Sequence, residues 1–311
     1  MQTLAKLFTR RQKIGIILKQ GVGVIDSDKK DIFETATRCD FDKLMLKLKN
    51  KSINPYVLDN VIDDDELNEA GLQAYRYLAY EQAFENKMKQ CSLYGSHYHS
   101  ELLNNGFIKI DNLFPQGLLD LVHRDIDGIP TSILERPKCE NLGLNLQISS
   151  AKGIQDIFKL CQADPSYMEE ILYLRKICHM PFSEKSEDSR QYNFHVDKFY
   201  PNFKVWYFPF EVKKEDGPLA VLGGSHRCTV EKMRWAHDRS VNKKDWSRLH
   251  YNVDDYEQPA SRLGLLNPVT FAVPCNTLVV VDTRMFHRRT PAATGKLRFA
   301  FRAILKRNNI L

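Results

Sequence analysis

Leu297-Arg298-Phe299-Ala300-Phe301-Arg302-Ala303-Ile304-Leu305 alternates large apolar residues with arginine and alanine. In an extended chain successive side chains point to opposite faces. Leu297, Phe299 and Phe301 therefore share one face, and Arg298, Ala300 and Arg302 share the other. Working outward, short β-type runs recur from about residue 141: Ile171 to Cys178, Val205 to Phe210 and Leu278 to Val281. Many short strands separated by turn residues predict a sandwich or jelly roll rather than alternating βαβ units. Before them, Gly106 to Asn112 reads as a short strand and Pro115 to Asp125 as a helix behind it.

The first third of the chain has a different texture. Asp31 to about Leu48 places Phe33, Phe41, Leu44 and Leu48 near helical spacing. Asp63, Asp64 and Asp65 form an acidic start suited to a helix dipole. Leu67, Ala70, Ala74, Tyr77, Phe84 and Met88 follow on three- and four-residue steps. The expected organisation is a helical extension over 1–95 and a mainly β domain with flanking helices over 96–311. No internal repeat or low-complexity tract interrupts it.

Bulk properties narrow the function classes. A chain of 311 residues, 43% hydrophobic and 27% charged, can bury a substantial core. No apolar run approaches the roughly 18 residues of a membrane span. Ile14 to Leu18, flanked by Lys13 and Lys19, is too short for the apolar core of a secretory signal. Seven scattered cysteines without a CxxC pair fit free thiols in a cytoplasmic or other reducing compartment. Residues 1 to 20 carry five basic and no acidic side chains, compatible with organelle targeting or with a plain basic terminus. The net charge of +6 suits an anionic small substrate, and without a basic–aromatic pattern nucleic acid is not an expected partner. Oligomeric state is not legible.

The chemistry lies in four short segments. In a strand, Phe194-His195-Val196-Asp197 would present an imidazole and a carboxylate side by side, although an HxD alone is common by chance. His287 follows the apolar run Leu278 to Val281 and the turn-like Asp282-Thr283-Arg284. Together His195, Asp197 and His287 make a two-histidine, one-carboxylate set, which leaves three positions open on a non-haem iron. Arg298 lies eleven residues beyond His287. Directed inward, it would need an anionic partner, and a carboxylate matches its fork. The fourth segment is Glu215 to His226, in which Gly217-Pro218 leads into a short apolar strand closed by Gly223-Gly224-Ser225-His226.

The order HxD, GPLxVxxGSH, distal histidine and arginine eleven residues on resembles the phytanoyl-CoA dioxygenase family. Asn105 to Phe114 is similar to that family's first strand, and the likeness covers roughly residues 97 to 307. Gly223 stands where the family commonly has proline, and Pro274 to Thr277 replaces its usual glycine–aspartate turn. The resemblance implies a double-stranded β-helix (a cupin-like jelly roll). It implies Fe(II) held by His195, Asp197 and His287, and 2-oxoglutarate chelated to the metal and paired with Arg298. Dioxygen would be the third reactant, with succinate and CO2 released. Related halogenases lack the carboxylate, so Asp197 implies halide-free oxidation: hydroxylation, cyclisation or desaturation.

Trp206 and Tyr207 are candidates for the pocket wall, and Arg175 and Lys176 for positive charge toward 2-oxoglutarate or an acidic substrate. Met233 to Arg262 is long enough to form a lid. His226 reads as structural, and His97 and His99 as incidental loop residues. The alternatives are an oxygenase acting on a macromolecule, a jelly-roll metalloenzyme without 2-oxoglutarate, and a non-catalytic cupin-like binding scaffold.

Overall fold

The alternation of 297–305 is realised as strand β8 (Leu297–Leu305). The computed structural model describes residues 27–53, 64–127, 173–178, 194–197, 202–242, 268–292 and 297–305, with positions 156, 159, 192 and 199. The basic first 20 residues, and residues 243–262 of the expected lid, lie outside this set.

β8 pairs on one side with β2 (Tyr173–Cys178) and on the other with β3 (Phe203–Phe208). β3 pairs in turn with β6 (Thr277–Asp282), and β6 with β1 (Phe107–Ile110). All four pairings are antiparallel, giving the order β1-β6-β3-β8-β2. A smaller antiparallel sheet has β4 (Leu219–Val221) between β5 (Val269–Thr270) and β7 (His287–Arg289).

The period of two sorts the large sheet into two cores. On its outer face Phe203, Val205, Tyr207, Leu278, Val280 and Phe301 pack with Ile108 against helices α4 (Leu72–Lys89), α5 (His97–Asn105) and α6 (Gln116–Asp127). On the inner face Trp206, Phe208, Val279, Val281 and Ala300 meet Leu219 and Val221 of the small sheet. Arg298 and Arg302 are in phase with Ala300, so the arginines of β8 stand on the side enclosed between the sheets.

The N-terminal helices differ in detail from the periodicity. The single helix expected from Asp31 to Leu48 is two, α1 (Ser27–Thr37) and α2 (Phe41–Lys51). Arg38 between them has positive φ, and Asp40 caps α2 by accepting a hydrogen bond from the Lys43 amide at 2.7 Å. Such side-chain caps satisfy a helix's orphan amides and favour a fresh start over continuation. The acidic run likewise starts only a short helix, α3 (Asp65–Glu69), capped by Asp64. Gly71, at φ +99, breaks it from α4, and a β-carbon there would fall 2.6 Å from Cys39.

Met233 and Ala236 of α7 (Val230–Asn242) are buried in one cluster with Phe41, Leu44, Tyr77 and Tyr80. Residues 233–242, expected to begin a lid, are thus a packed helix that fastens the N-terminal helices to the β layers. No helix among the described residues is long and apolar enough to cross a membrane.

Candidate metal centre

His195 and His287 are paired through their backbones before their side chains are considered. The His195 amide donates to the His287 carbonyl at 3.0 Å, and the return bond is 2.9 Å. This isolated antiparallel bridge fixes the imidazoles side by side, with ring centroids 4.5 Å apart. Two residues on, the Asp197 amide donates to the Thr283 carbonyl at 3.1 Å, and Thr283 donates to Asn202 at 2.8 Å. The turn after β6 therefore carries both halves of the site. One ligand atom from each of His195, Asp197 and His287 lies within 4.8 Å of the others.

The tautomer of His287 follows from its surroundings. Nδ1 lies 3.0 Å from the Met285 carbonyl, which can only accept, so Nδ1 carries the proton. Nε2 then offers its lone pair on the other side, 3.2 Å from Asp197 Oδ2. A ligating histidine is commonly oriented by such a carbonyl. Burial by itself would raise the Asp197 carboxyl, but the positive charge beside it holds it well below the usual range. Lys204 also makes a salt bridge to Asp197 Oδ2. Two imidazoles and an ionised carboxylate converging on one point are a donor set that fits a divalent transition metal.

The turn that presents His287 is held from below by buried charge. Arg284 pairs with Asp282 at 2.8 Å, both side chains being almost wholly enclosed. Lys232 of α7 donates to the Arg284 carbonyl at 2.8 Å and to the Ser225 carbonyl. Burial pushes Lys232 down to about 8. Ser225 Oγ accepts from the Phe286 amide at 2.9 Å, immediately before His287. Its neighbour His226 donates from Nε2 to the Leu103 carbonyl at 3.1 Å. The GSH turn thus splints the His287 turn to α5, and His226 is structural, as expected.

A pocket opens beside the metal-ligand cluster; among the described residues it is lined by His195, Lys204, Trp206, His287, Arg298 and Arg302, together with Arg288, Arg289, Leu219 and Ala300. Arg298 is 5% exposed and donates to the Gly217 carbonyl in the turn before β4. Trp206 lies on the pocket wall. Tyr207 does not: it faces the helices, and its hydroxyl donates to Asn276 Oδ1 at 3.1 Å. Arg175 and Lys176 stand opposite Ala300 and Phe299 in the β2–β8 register, but their side chains lie outside the described set. His97 and His99 fall on α5 rather than a loop; His99 Nδ1 accepts from the Gly95 amide, a structural use.

Sequence reasoning missed Lys204, Arg288, Arg289 and Arg302 as pocket residues. Their signal was available: Lys204 and Arg302 are in phase with Trp206 and Arg298, and Arg288 and Arg289 adjoin His287.

No protein-family model matches the chain, and no curated protein sequence matches it. Solved structures are similar at low identity. The non-haem α-ketoglutarate-dependent epimerase SnoN of nogalamycin biosynthesis is 10% identical over 71% of this chain and 82% of its own, with a TM-score of 0.39. EvdO2 from Micromonospora carbonacea var. aurantiaca is 16% identical over 67% and 89%, at 0.42. GIG2 from Candida albicans is 10% identical over 79% and 73%, at 0.46. SnoN has been solved with Fe3+, α-ketoglutarate and nogalamycin RO, and EvdO2 with 2-oxoglutarate.

Proposed function

We propose that this chain is an Fe(II)- and 2-oxoglutarate-dependent dioxygenase that oxidises a small, anionic organic substrate within a double-stranded β-helix. The observation that carries the reading is the convergence of His195, Asp197 and His287 within 4.8 Å, beside a pocket that contains the inward-facing Arg298. In this assignment the three side chains hold the metal. Residues 96–311 form the catalytic domain, and the preceding helices form an extension.

Bound iron, with 2-oxoglutarate and dioxygen, supplies the oxidising power, and succinate and CO2 leave. The chain's own residues bind and orient. His287 keeps its proton on Nδ1 against Met285, so Nε2 remains a donor to the metal. Asp197 stays ionised, because the ammonium of Lys204 opposes its burial. Arg298 offers a planar, permanently charged fork to the far carboxylate of 2-oxoglutarate. Its present acceptor, the Gly217 carbonyl, would keep it aimed. Trp206 and Leu219 supply apolar wall that limits water. Asp197 occupies the third ligand position, so halide has no vacated carboxylate site; hydroxylation, cyclisation and desaturation all fit.

The test is anaerobic addition of Fe(II) and 2-oxoglutarate to metal-free protein, following the visible metal-to-ligand charge-transfer band. A band in wild type, absent in His195→Ala and requiring at least tenfold more 2-oxoglutarate in Arg298→Ala, supports the assignment. Folded wild type with no band and no calorimetric 2-oxoglutarate binding overturns it.

A further inference from the structure

Helix α7 meets the metal centre from behind. Lys232 and Trp235, three residues apart, are neighbours on one side of the helix. The Lys232 ammonium donates to the carbonyls of Arg284 and Ser225. It also lies 5.3 Å from the ring centroids of both Tyr77 and Phe286. Tyr77 belongs to α4 in the helical layer, and Phe286 immediately precedes the ligand His287. Trp235 meets Phe286 edge to face, with 5.1 Å between centroids. Its indole packs against two clusters at once. One is the helical core that contains Leu44 and Tyr77; the other is the small core of Phe194, Val196, Ala220, Leu222 and Phe286. Phe194 and Val196 flank His195, and Val196 also precedes Asp197. Each ligand therefore has a chain neighbour in the small core, and α7 joins that core to the N-terminal helices.

Lys232 is a costly way to fasten a helix. It is 2% exposed, and Arg284 beside it is buried as well. It stands in the first turn of α7, where the positive end of the helix dipole opposes a cation. An apolar side chain of similar volume is often neutral or stabilising in place of a buried charge. What the ammonium adds is direction: its two hydrogen bonds tie the 225 turn to the 284 turn, and both lead to His287. Glu81 carries the link into α4, where its half-buried carboxylate accepts from the Cys228 amide at 2.9 Å, two residues before α7 begins. Resting on the oxygenase reading, we infer that Lys232 and Trp235 are positioning residues for the metal ligands. Through them the N-terminal helical layer sets the affinity and geometry of the metal held by His195, Asp197 and His287. Groups behind a ligand orient it, and their loss is felt in metal affinity before any ligand is touched.

The experiment titrates Co2+ into the full-length, metal-free protein below its melting temperature, by calorimetry and visible absorption, with thermal melts alongside. Lys232→Met and Trp235→Leu should each lower Co2+ affinity about tenfold and change the position or intensity of the visible bands. Trp235→Phe keeps a ring against Phe286 and should restore the wild-type spectrum, with affinity within about threefold. Glu81→Ala, on α4, should weaken Co2+ by about threefold or more, a coupling that reaches the metal from the helical layer. A merely structural role would lower melting temperatures and leave the affinity and spectrum of the folded protein intact. Wild-type Co2+ binding in folded Lys232→Met and Glu81→Ala overturns the inference and leaves the oxygenase reading standing. Weakening in Lys232→Met with none in Glu81→Ala overturns the part played by the helical layer. If Trp235→Leu does not fold, those two variants decide. Co2+ binding that survives His195→Ala unchanged overturns the metal-centre reading, and this inference with it.

Discussion

The ammonium of Lys204 rests on the carboxylate of Asp197, at the oxygen that also lies 3.2 Å from His287 Nε2. A lysine therefore occupies part of the electrostatic role that a metal would fill. Desolvation offsets much of the attraction between two partly buried opposite charges, but removing one leaves the other uncompensated and destabilises the fold.

Lys204→Met should consequently act in opposite directions on the two states. The metal-free protein loses the partner of Asp197 and should melt roughly 3 °C lower. Metal binding no longer displaces or faces an ammonium, so affinity for Mn2+ should rise about tenfold, equivalent to roughly 1.4 kcal/mol. Thermal melts with and without Mn2+, together with calorimetry, measure both. Weaker Mn2+ binding in the variant would show instead that Lys204 orients Asp197 for ligation.

Gly106 closes α5 at φ +79, and a β-carbon there would lie 2.4 Å from His226 Nδ1 and 2.6 Å from Met285 Sδ. Gly106→Ala combines backbone strain with overlap against an enclosed ring. It should destabilise the protein by about 2–4 kcal/mol, measured by chemical denaturation. A loss under about 1 kcal/mol would mean that the GSH turn can yield, contrary to its place as a splint.

His226 gives a pH dependence whose sign is fixed by burial. Desolvation pushes it down to about 3, against an ordinary value near 6.5, with Asp282 opposing and Arg284 adding to the depression. Between those values the unfolded chain binds a proton that the folded chain does not, so stability falls as pH drops from about 6.5 toward 3. The contribution lost is at most about 5 kcal/mol. In His226→Gln the stability difference between pH 7 and pH 4.5 should shrink measurably in urea melts. An unchanged difference would place the acid sensitivity elsewhere.

What was legible in the sequence was local and periodic. Alternation in 297–305 put Arg298 on the face opposite Phe299 and Phe301, and the HxD spacing put His195 beside Asp197 on an extended chain. The breaks at Arg38 and Gly71 were hidden because the apolar period runs through both, while left-handed backbone and an aspartate cap decide the actual ends. Lys204 was hidden for a different reason. A lysine on a strand reads as a solvated edge residue until the pairing with β8 and the position of Asp197 are known. The Asp282–Arg284 pair was visible as a turn, but not as the buried support of a ligand, because its partners Lys232 and Ser225 come from a helix and a loop about fifty to sixty residues away.

Ser225 offers the sharpest separation of support from packing. Its hydroxyl accepts the Phe286 amide at 2.9 Å, and the next residue is the ligand His287. In Ser225→Ala that buried amide loses its partner, which costs about 1–3 kcal/mol in stability. The same loss frees the backbone immediately before His287. Affinity for Co2+ should fall about tenfold, as it commonly does when groups behind a ligand are removed. The visible Co2+ spectrum should also change in position or intensity, because its ligand geometry changes. A purely structural serine would lower the melting temperature and leave the spectrum and affinity of the folded protein intact. Ser225→Thr, which keeps the hydroxyl, should restore the spectrum even if its extra methyl group costs stability. If Ser225→Ala and Ser225→Thr lose stability equally, with wild-type Co2+ spectra in both, the GSH turn holds the fold but does not position the metal.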